Sequence, residues 1–170
     1  GVISLKNTCG DIISHNLAEN YNSNFIYGEC ICETVIEYNE SRAGGLIGNE
    51  ANNIYICGYY NARNNHIRYN YLHDNSPDRA NIRLGAGIVF DDMSESNYAY
   101  GNVLKNLSDC IGINGGDNNI ADGNTLIDCD VSSIGATDAM YGANESFFAQ
   151  KLLNNLKESQ LTKCYYSYGL

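Results

Sequence analysis

A short motif recurs along the chain, and its spacing constrains the fold more than any other feature. Five copies of the motif carry an Asn preceded three positions earlier by Ile or Ala, at Asn16, Asn39, Asn70, Asn102 and Asn124. Successive copies are 23, 31, 32 and 22 residues apart. One unit of about 22 residues, enlarged by a loop in two of its copies, accounts for all four intervals.

A unit of this length made of short alternating strands is typical of one coil of a parallel β-helix. Stacked coils pair edge to edge, with neighbouring strands about 4.8 Å apart. Each marker Asn is predicted to take the left-handed backbone conformation of a tight corner. Its side chain is predicted to hydrogen-bond to the next marker Asn, forming a ladder along the axis. The sequence therefore predicts an all-β chain, folded as a parallel β-helix (solenoid), and the resemblance described below implies that it is right-handed.

The length of 170 residues predicts a single domain of about six or seven coils, spanning residues 1–170. The pattern changes near the C-terminus, where Phe148, Leu152 and Leu156 recur at helical spacing. We expect a short C-terminal helix at about 144–158, which would cover the open end of the stack. The first residue is not Met, and the aromatic C-terminal segment stops abruptly, so we expect a fragment of a longer protein.

The charge balance limits the partners that this chain can bind. It carries 20 acidic and 10 basic residues, for a net charge of −10. Such a surface repels nucleic acid and anionic membranes, so neither is expected as a partner. No apolar run reaches the roughly 18 residues of a membrane span. A neutral polysaccharide or oligosaccharide remains acceptable, and the sequence does not define the oligomeric state.

The seven cysteines allow two interpretations. Cys9 and Cys32 each lie seven residues before a marker Asn, so they are predicted to stack in adjacent coils. A disulfide framework is one possibility, although the sequence does not define its pairing. The favoured interpretation is that most of the cysteines are small buried apolar residues.

Acidic residues cluster after two successive predicted strands. Asp91 and Asp92 follow the strand that begins at Gly87, and Asp117 follows the next strand. Counting ten residues back from two marker Asn residues places Asp92 one coil from Asn114, and counting seven places Glu95 beneath Asp117. Glycoside hydrolysis needs two carboxyl groups with different pKa values, so Asp91, Asp92 and Asp117 are the candidate catalytic residues. The alternative is that Asp91 and Asp92 only end a strand and bind turn amides.

A second candidate is the His73-Asp74 pair. A His beside an Asp can shuttle protons or bind sugar hydroxyls, so His73 and Asp74, together with Asn114, are the candidate substrate-binding residues. The alternative is an exposed corner pair without function. His15 and His66 are predicted to be structural. No metal-binding residues and no cofactor are assigned; calcium is the one ion that the acidic groups could bind, and the EF-hand pattern is absent.

Three segments resemble bacterial right-handed parallel β-helix proteins of the pectin-lyase-like superfamily, including glycoside hydrolases similar to family 141. They are Gly-Ile-Val-Phe-Asp-Asp (87–92), Tyr-Gly-Asn-Val (100–103) and the run from Ile113 to Cys129. The His-Asp pair that precedes such a run in this group is also present. The family's basic residue in the Gly-Gly turn is missing, because Asp117 follows Gly116 directly. The resemblance implies a secreted or cell-surface bacterial enzyme that acts on plant or host glycans.

Three functional hypotheses follow. The favoured one is hydrolysis of a glycosidic bond in a plant or host polysaccharide, through the three candidate aspartates. The second is a calcium-dependent polysaccharide lyase, in which Arg68, Arg79 or Arg83 would stabilise an enolate. The third is a non-catalytic β-helix that binds glycans or has a structural role in a surface protein or a phage fibre.

Overall fold

The computed structural model describes residues 1–45, 51–58, 60–75 and 85–137. Within these ranges all regular secondary structure is β-strand, which confirms the all-β class. The strands are β1 (Ile3–Lys6), β2 (Ile12–Ser14), β3 (Leu17–Glu19), β4 (Ile26–Glu29), β5 (Val35–Glu37), β6 (Glu40–Arg42), β7 (Ile54–Cys57), β8 (His66–Arg68), β9 (Tyr71–His73), β10 (Ile88–Phe90), β11 (Tyr98–Tyr100), β12 (Val103–Asn114), β13 (Ile120–Asp122) and β14 (Thr125–Thr137). The helix expected at 144–158 lies outside the described residues.

Strands of successive repeats pair in parallel, in three columns. One column runs β1-β4-β7-β10, a second runs β3-β6-β9, and β12 pairs with the last strand of both. Those two columns therefore form one curled sheet. The third column, β2-β5-β8-β11-β13, forms a separate sheet. This arrangement is compatible with a solenoid, in which residues distant in sequence become neighbours.

The core is built from residues that alternate along each short strand, because successive side chains point to opposite faces. Ile26, Ile54 and Ile88 occupy the same register in β4, β7 and β10, and all three are fully buried. Ile36 and Ile67 occupy the matching inner position of the third column. Most strands have only three or four residues, and each contributes one or two inward side chains to the core. The core is therefore built without a long apolar run in the sequence.

The predicted asparagine ladder is confirmed. The side-chain amide of Asn39 donates to Asn70 Oδ1 at 2.9 Å, and that of Asn70 donates to Asn102 Oδ1 at 3.0 Å. From Asn39 onward each marker Asn also donates to a main-chain carbonyl of the preceding repeat, as Asn70 does to Ile36 O at 2.9 Å. The ladder continues to Asn16 at one end and Asn124 at the other.

The predicted left-handed corner is displaced by one residue. The marker Asn residues do not have positive φ; the residue before each one does, and these are His15, Tyr38, Tyr69, Gly101 and Gly123. The physical reason is the ladder itself. The backbone N–H and the side chain of a marker Asn both donate to the next marker, so that residue keeps ordinary φ while its predecessor makes the turn.

A second ladder was not predicted. Asn65 donates through its side chain to Asn97 Oδ1 at 2.8 Å, and Asn97 donates to Asn119 Oδ1 at 3.1 Å. Thr34 N donates to Asn65 Oδ1 at 3.1 Å at the start of this column. The signal was present in the sequence, since each of these residues lies five positions before a marker Asn.

Two disulfides join neighbouring repeats. Cys9 and Cys32 stack as predicted and are bonded, with Cα atoms 4.5 Å apart. Cys110 and Cys129 are bonded with Cα atoms 5.6 Å apart. For these four residues the interpretation as small apolar side chains is wrong; Cys164 lies outside the described residues. No helix capable of crossing a membrane is present in the described part of the chain.

Candidate functional site

The candidate aspartates lie at the end of the column formed by β4, β7, β10 and β12. We call the outer surface of these four strands the β10 face. Tyr27, Tyr55 and Val89 share one register position on this face. Beyond them, Phe90 pairs with Ile113, so Asp91 and Asn114 are the next residues of adjacent strands.

Asp91 is fixed by three hydrogen-bond donors. Its Oδ1 accepts from Asn114 Nδ2 at 2.6 Å and from the backbone N of Asp92 at 2.7 Å. Its Oδ2 accepts from the Tyr55 hydroxyl. Hydrogen bonds to a charged acceptor are the strong ones, so the carboxylate has a defined orientation at the strand end.

The Tyr55 ring belongs to an aromatic pair on the same face. It stacks on Tyr27, with ring centroids 5.8 Å apart and planes 7° from parallel. Burial, together with the hydrogen bond and the charge of Asp91, raises the pKa of Tyr55 far above its ordinary value. The Tyr27 hydroxyl donates to Glu29 Oε2 at 3.2 Å, and burial is the main reason that the pKa of Tyr27 is also raised. Both phenols therefore remain neutral donors at physiological pH.

The predicted alignment of Asp92 with Asn114 is wrong by one residue, because Asp91 occupies that position. The turn after β10 is one residue longer than the turn after Ile113 of β12, so counting back from the marker Asn residues shifts the register. Asp92 and Met93 both have positive φ in this longer turn. Asp92 therefore lies beside Asp91 in a corner, one position beyond the paired strand.

The alignment of Glu95 with Asp117 agrees with the structure. Ser96 N donates to Asp117 O at 2.8 Å, which places the two segments in neighbouring repeats. Asp117 is exposed and follows two glycines, Gly115 and Gly116, that have positive φ. Asp91, Asp92 and Asp117 are thus all on the turns at one end of β10 and β12.

The structure does not bring His73 and Asp74 to this place. His73 in β9 pairs with Lys105 near the start of β12, whereas Phe90 pairs with Ile113 near its end. The two candidate groups are therefore at opposite ends of the same long strand. Asn114, predicted as a substrate contact with His73 and Asp74, belongs instead with Asp91.

His73 lies between two carboxylates from different repeats. Its Nδ1 is 2.7 Å from Asp74 Oδ2, and its Nε2 is 3.3 Å from Glu40 Oε1. The ring stacks on Tyr71 with centroids 3.9 Å apart and is only 6% exposed, so the exposed-pair alternative is wrong for His73. The hydrogen bond from His73, followed by that from Asn106, lowers the pKa of Asp74 below its ordinary range.

Sequence reasoning missed Glu40 as a partner of His73. The signal was the repeat, since Glu40 and Tyr71 each follow a marker Asn directly and are paired in register. Because β6 and β9 are adjacent strands, these side chains emerge side by side on the outer surface. Glu40 thus completes a cluster that the His-Asp pair alone did not reveal.

The basic side chain of Arg68 belongs to the other sheet. Arg68 Nε donates to Glu37 Oε2 at 2.6 Å, and Nη1 donates to the Tyr100 hydroxyl at 2.8 Å. Arg79 and Arg83 lie outside the described residues. His66 stacks on Tyr98 with centroids 4.9 Å apart, and His15 stacks on Tyr38 at 5.3 Å, in keeping with the structural roles predicted for them.

The described residues contain no group of three or more His, Cys, Asp or Glu side chains that could hold a metal ion. Comparisons with protein-family models, with curated proteins and with solved structures find no match to this chain.

Proposed function

We propose that the chain is a right-handed parallel β-helix of the pectin-lyase-like kind, and that it hydrolyses a glycosidic bond in a polysaccharide bound on the β10 face. Parallel pairing of successive repeats and two asparagine ladders support the architecture. Two disulfides between repeats favour an oxidising compartment and hence a secreted or cell-surface location.

The observation that carries the catalytic proposal is the placement of Asp91. Its carboxylate is held at a strand end by Tyr55, Asn114 and the backbone of Asp92. A fixed carboxylate suits the nucleophile or base of glycoside hydrolysis, which also needs a second carboxyl group as the acid. Asp92 in the adjoining corner and Asp117 in the next repeat are the residues that would supply that acid.

The surroundings of Asp91 favour a carbohydrate over other ligands. The Tyr27–Tyr55 pair supplies aromatic surface, and Glu29 supplies a further acceptor beside it. Sugars present both C–H faces and hydroxyl donors, so they match a surface that combines rings with carboxylates. The net charge of −10 favours a neutral glycan over a polyanionic one.

The test compares Asp91→Asn, Asp92→Asn and Asp117→Asn on a panel of plant and host glycans. Asp122→Asn is the matched control, because Asp122 is an exposed aspartate on β13 in the other sheet. Loss of a general acid or base is expected to reduce turnover by about 10²–10⁴-fold, with Asp122→Asn unchanged. Full turnover by all three site variants would refute the catalytic assignment.

A second function, glycan binding without catalysis, is favoured by one specific observation. Asp91 accepts three hydrogen bonds from within the chain, as it would if its role were to lock the strand end. This candidate predicts that the wild-type chain is retarded in gels containing its glycan and releases no product.

The lyase alternative is less well supported, since Arg68 is engaged with Glu37 and Tyr100 on the other sheet. Formation of an ultraviolet-absorbing unsaturated product, abolished by a chelator, would restore the lyase alternative.

A further inference from the structure

Two cysteine thiols lie in adjacent repeats next to the β10 face. Cys57 is the last residue of β7, and Cys30 directly follows β4. Cys57 pairs in register with Glu29, and Cys30 N donates to Cys57 O at 2.9 Å. The two cysteines are therefore backbone neighbours across one step between repeats, although they are 27 positions apart in sequence.

This step has the dimensions that a disulfide requires. Cys30 is one residue out of register with Cys57, so their Cα atoms lie diagonally across the step. Strands about 4.8 Å apart with a rise of about 3.3 Å per residue give a diagonal of about 5.8 Å, within the roughly 4.4–6.8 Å usual for disulfide-bonded Cα atoms. The same chain already bridges two repeats with Cys9 and Cys32, which are in register and have Cα atoms 4.5 Å apart. The fold therefore accepts a disulfide between repeats without a change in their spacing.

The two sulfur atoms currently contact different groups. Cys30 Sγ is 3.8 Å from Gly58 O, and Cys57 Sγ is 3.7 Å from the Tyr27 hydroxyl. Cys30 has positive φ and stands in the turn after β4, outside the alternation of faces along that strand, and closing the bond requires both side chains to rotate about their Cα–Cβ bonds. Cys57 is 5% exposed, whereas Cys30 is partly exposed, so an oxidant in solvent meets Cys30 first.

We propose that Cys30 and Cys57 form an oxidative modification site that closes into a further disulfide between repeats. With glutathione disulfide as the oxidant, the Cys30 thiolate attacks one glutathione sulfur and releases the other glutathione as a thiol. The Cys57 thiolate then attacks Cys30 Sγ in the mixed disulfide and releases the second glutathione. The two protein thiols are oxidised, one glutathione disulfide is reduced to two thiols, and the two protons pass to them.

Oxidation at this site would reach the candidate catalytic carboxylate through three contacts. Cys57 would leave the Tyr27 hydroxyl; Tyr27 stacks on Tyr55, and Tyr55 donates to Asp91. The closing step is expected to be slow at neutral pH and faster in alkali, because the thiolate is the attacking species and burial raises the pKa of Cys57 to about 12. The site itself does not depend on the proposed enzymatic activity.

The experiment uses the full chain carrying Cys164→Ser, so that only the six described cysteines contribute. The protein is mapped by mass spectrometry of non-reduced peptides, both as isolated and after incubation with glutathione disulfide. We expect a Cys30–Cys57 cross-linked peptide in one or both samples, and loss of two hydrogens relative to the dithiol form. With Cys57→Ser added, the reaction is expected to stop at one glutathione on Cys30.

Circular dichroism of the Cys57→Ser protein, compared with its parent, shows whether the fold is retained. A folded parent in which both thiols can still be alkylated in denaturant after oxidation would overturn the proposal. So would a cross-link from Cys30 to Cys9 or Cys32 in place of Cys57. Equal rates of glutathione loss from Cys30 in the parent and in the Cys57→Ser protein would also overturn it. In the parent, attack by Cys57 is the step that must displace this glutathione.

Discussion

Replacing Asn70 with Ala tests the axial ladder at its centre. Asn70 is 1% exposed, and its Oδ1 accepts from both the backbone N and the side-chain amide of Asn39, at 3.0 and 2.9 Å. Its own amide donates to Asn102 Oδ1 and to Ile36 O. The substitution removes all of these bonds and leaves the buried backbone N–H of Asn39 without its acceptor.

The expected cost follows from those contacts. A buried donor left unsatisfied costs about 1–3 kcal/mol, and each further net hydrogen bond lost costs about 0.5–1.5 kcal/mol. Together they predict a loss of about 2.5–7.5 kcal/mol, a large share of the roughly 5–15 kcal/mol that holds a typical domain folded. For a chain of 170 residues, this corresponds to a fall in Tm of roughly 5–30 °C.

The assay is urea unfolding followed by circular dichroism, with Asn22→Ala as the matched control. Asn22 is exposed and lies outside both ladders, so its loss is expected to change the free energy of unfolding by less than about 0.5 kcal/mol. Equal stability of Asn70→Ala and Asn22→Ala would refute the reasoning, because the buried ladder would then contribute nothing beyond an exposed asparagine.

Three further predictions concern packing, protonation and cross-links. Gly87→Ala places a Cβ against the Leu104 side chain and the carbonyl oxygen of Cys110, and overpacking of this kind is expected to lower the unfolding free energy by about 1–3 kcal/mol, measured by urea titration. Burial lowers the pKa of His66 below 6.5. Between the folded and unfolded pKa values of His66 the unfolded chain binds more protons, so stability is expected to fall as pH drops below about 6.5. Thermal scans of His66→Phe should show a weaker dependence of Tm on pH in that window, and an unchanged slope would contradict the assignment. Cys110 and Cys129 are 19 residues apart in sequence, so replacing both with Ser is expected to cost about 3 kcal/mol, and an unchanged chemical-denaturation midpoint would show that this cross-link does not stabilise the fold.

The repeat and its ladder could be predicted because the signal is periodic. A marker Asn with Ile or Ala three positions before it recurs in each unit, and a stacked solenoid brings equivalent positions together. The second ladder through Asn65 and Asn97 carried the same kind of signal, five residues before the markers. Periodicity therefore identifies which residues stack whenever the number of residues between them stays constant.

The site was predicted less well, because turn lengths vary between repeats. One additional residue in the turn after β10 puts Asp91 beside Asn114, in the place predicted for Asp92. The partner of His73 was missed for another reason, since Glu40 comes from a repeat in which neither His nor Asp occupies the matching positions. Single-residue register and contacts between unlike repeats depend on backbone geometry that a count along the chain does not contain.

The cysteines show the same limit. Equal offsets from two markers correctly predicted that Cys9 and Cys32 stack. Cys110 and Cys129 have no such common offset, because one lies within β12 and the other within β14 at a register shift between those strands. A pair formed across an irregular part of a sheet leaves no periodic trace in the sequence.

The most direct test of the account is a nuclear Overhauser measurement on isotope-labelled protein. We predict cross-peaks linking the side-chain amide protons of Asn39 to those of Asn70, and those of Asn70 to those of Asn102, pairs that are 31 and 32 residues apart in sequence. Finding only contacts within single repeats, with none between these asparagines, would contradict the stacked architecture and the site built on it.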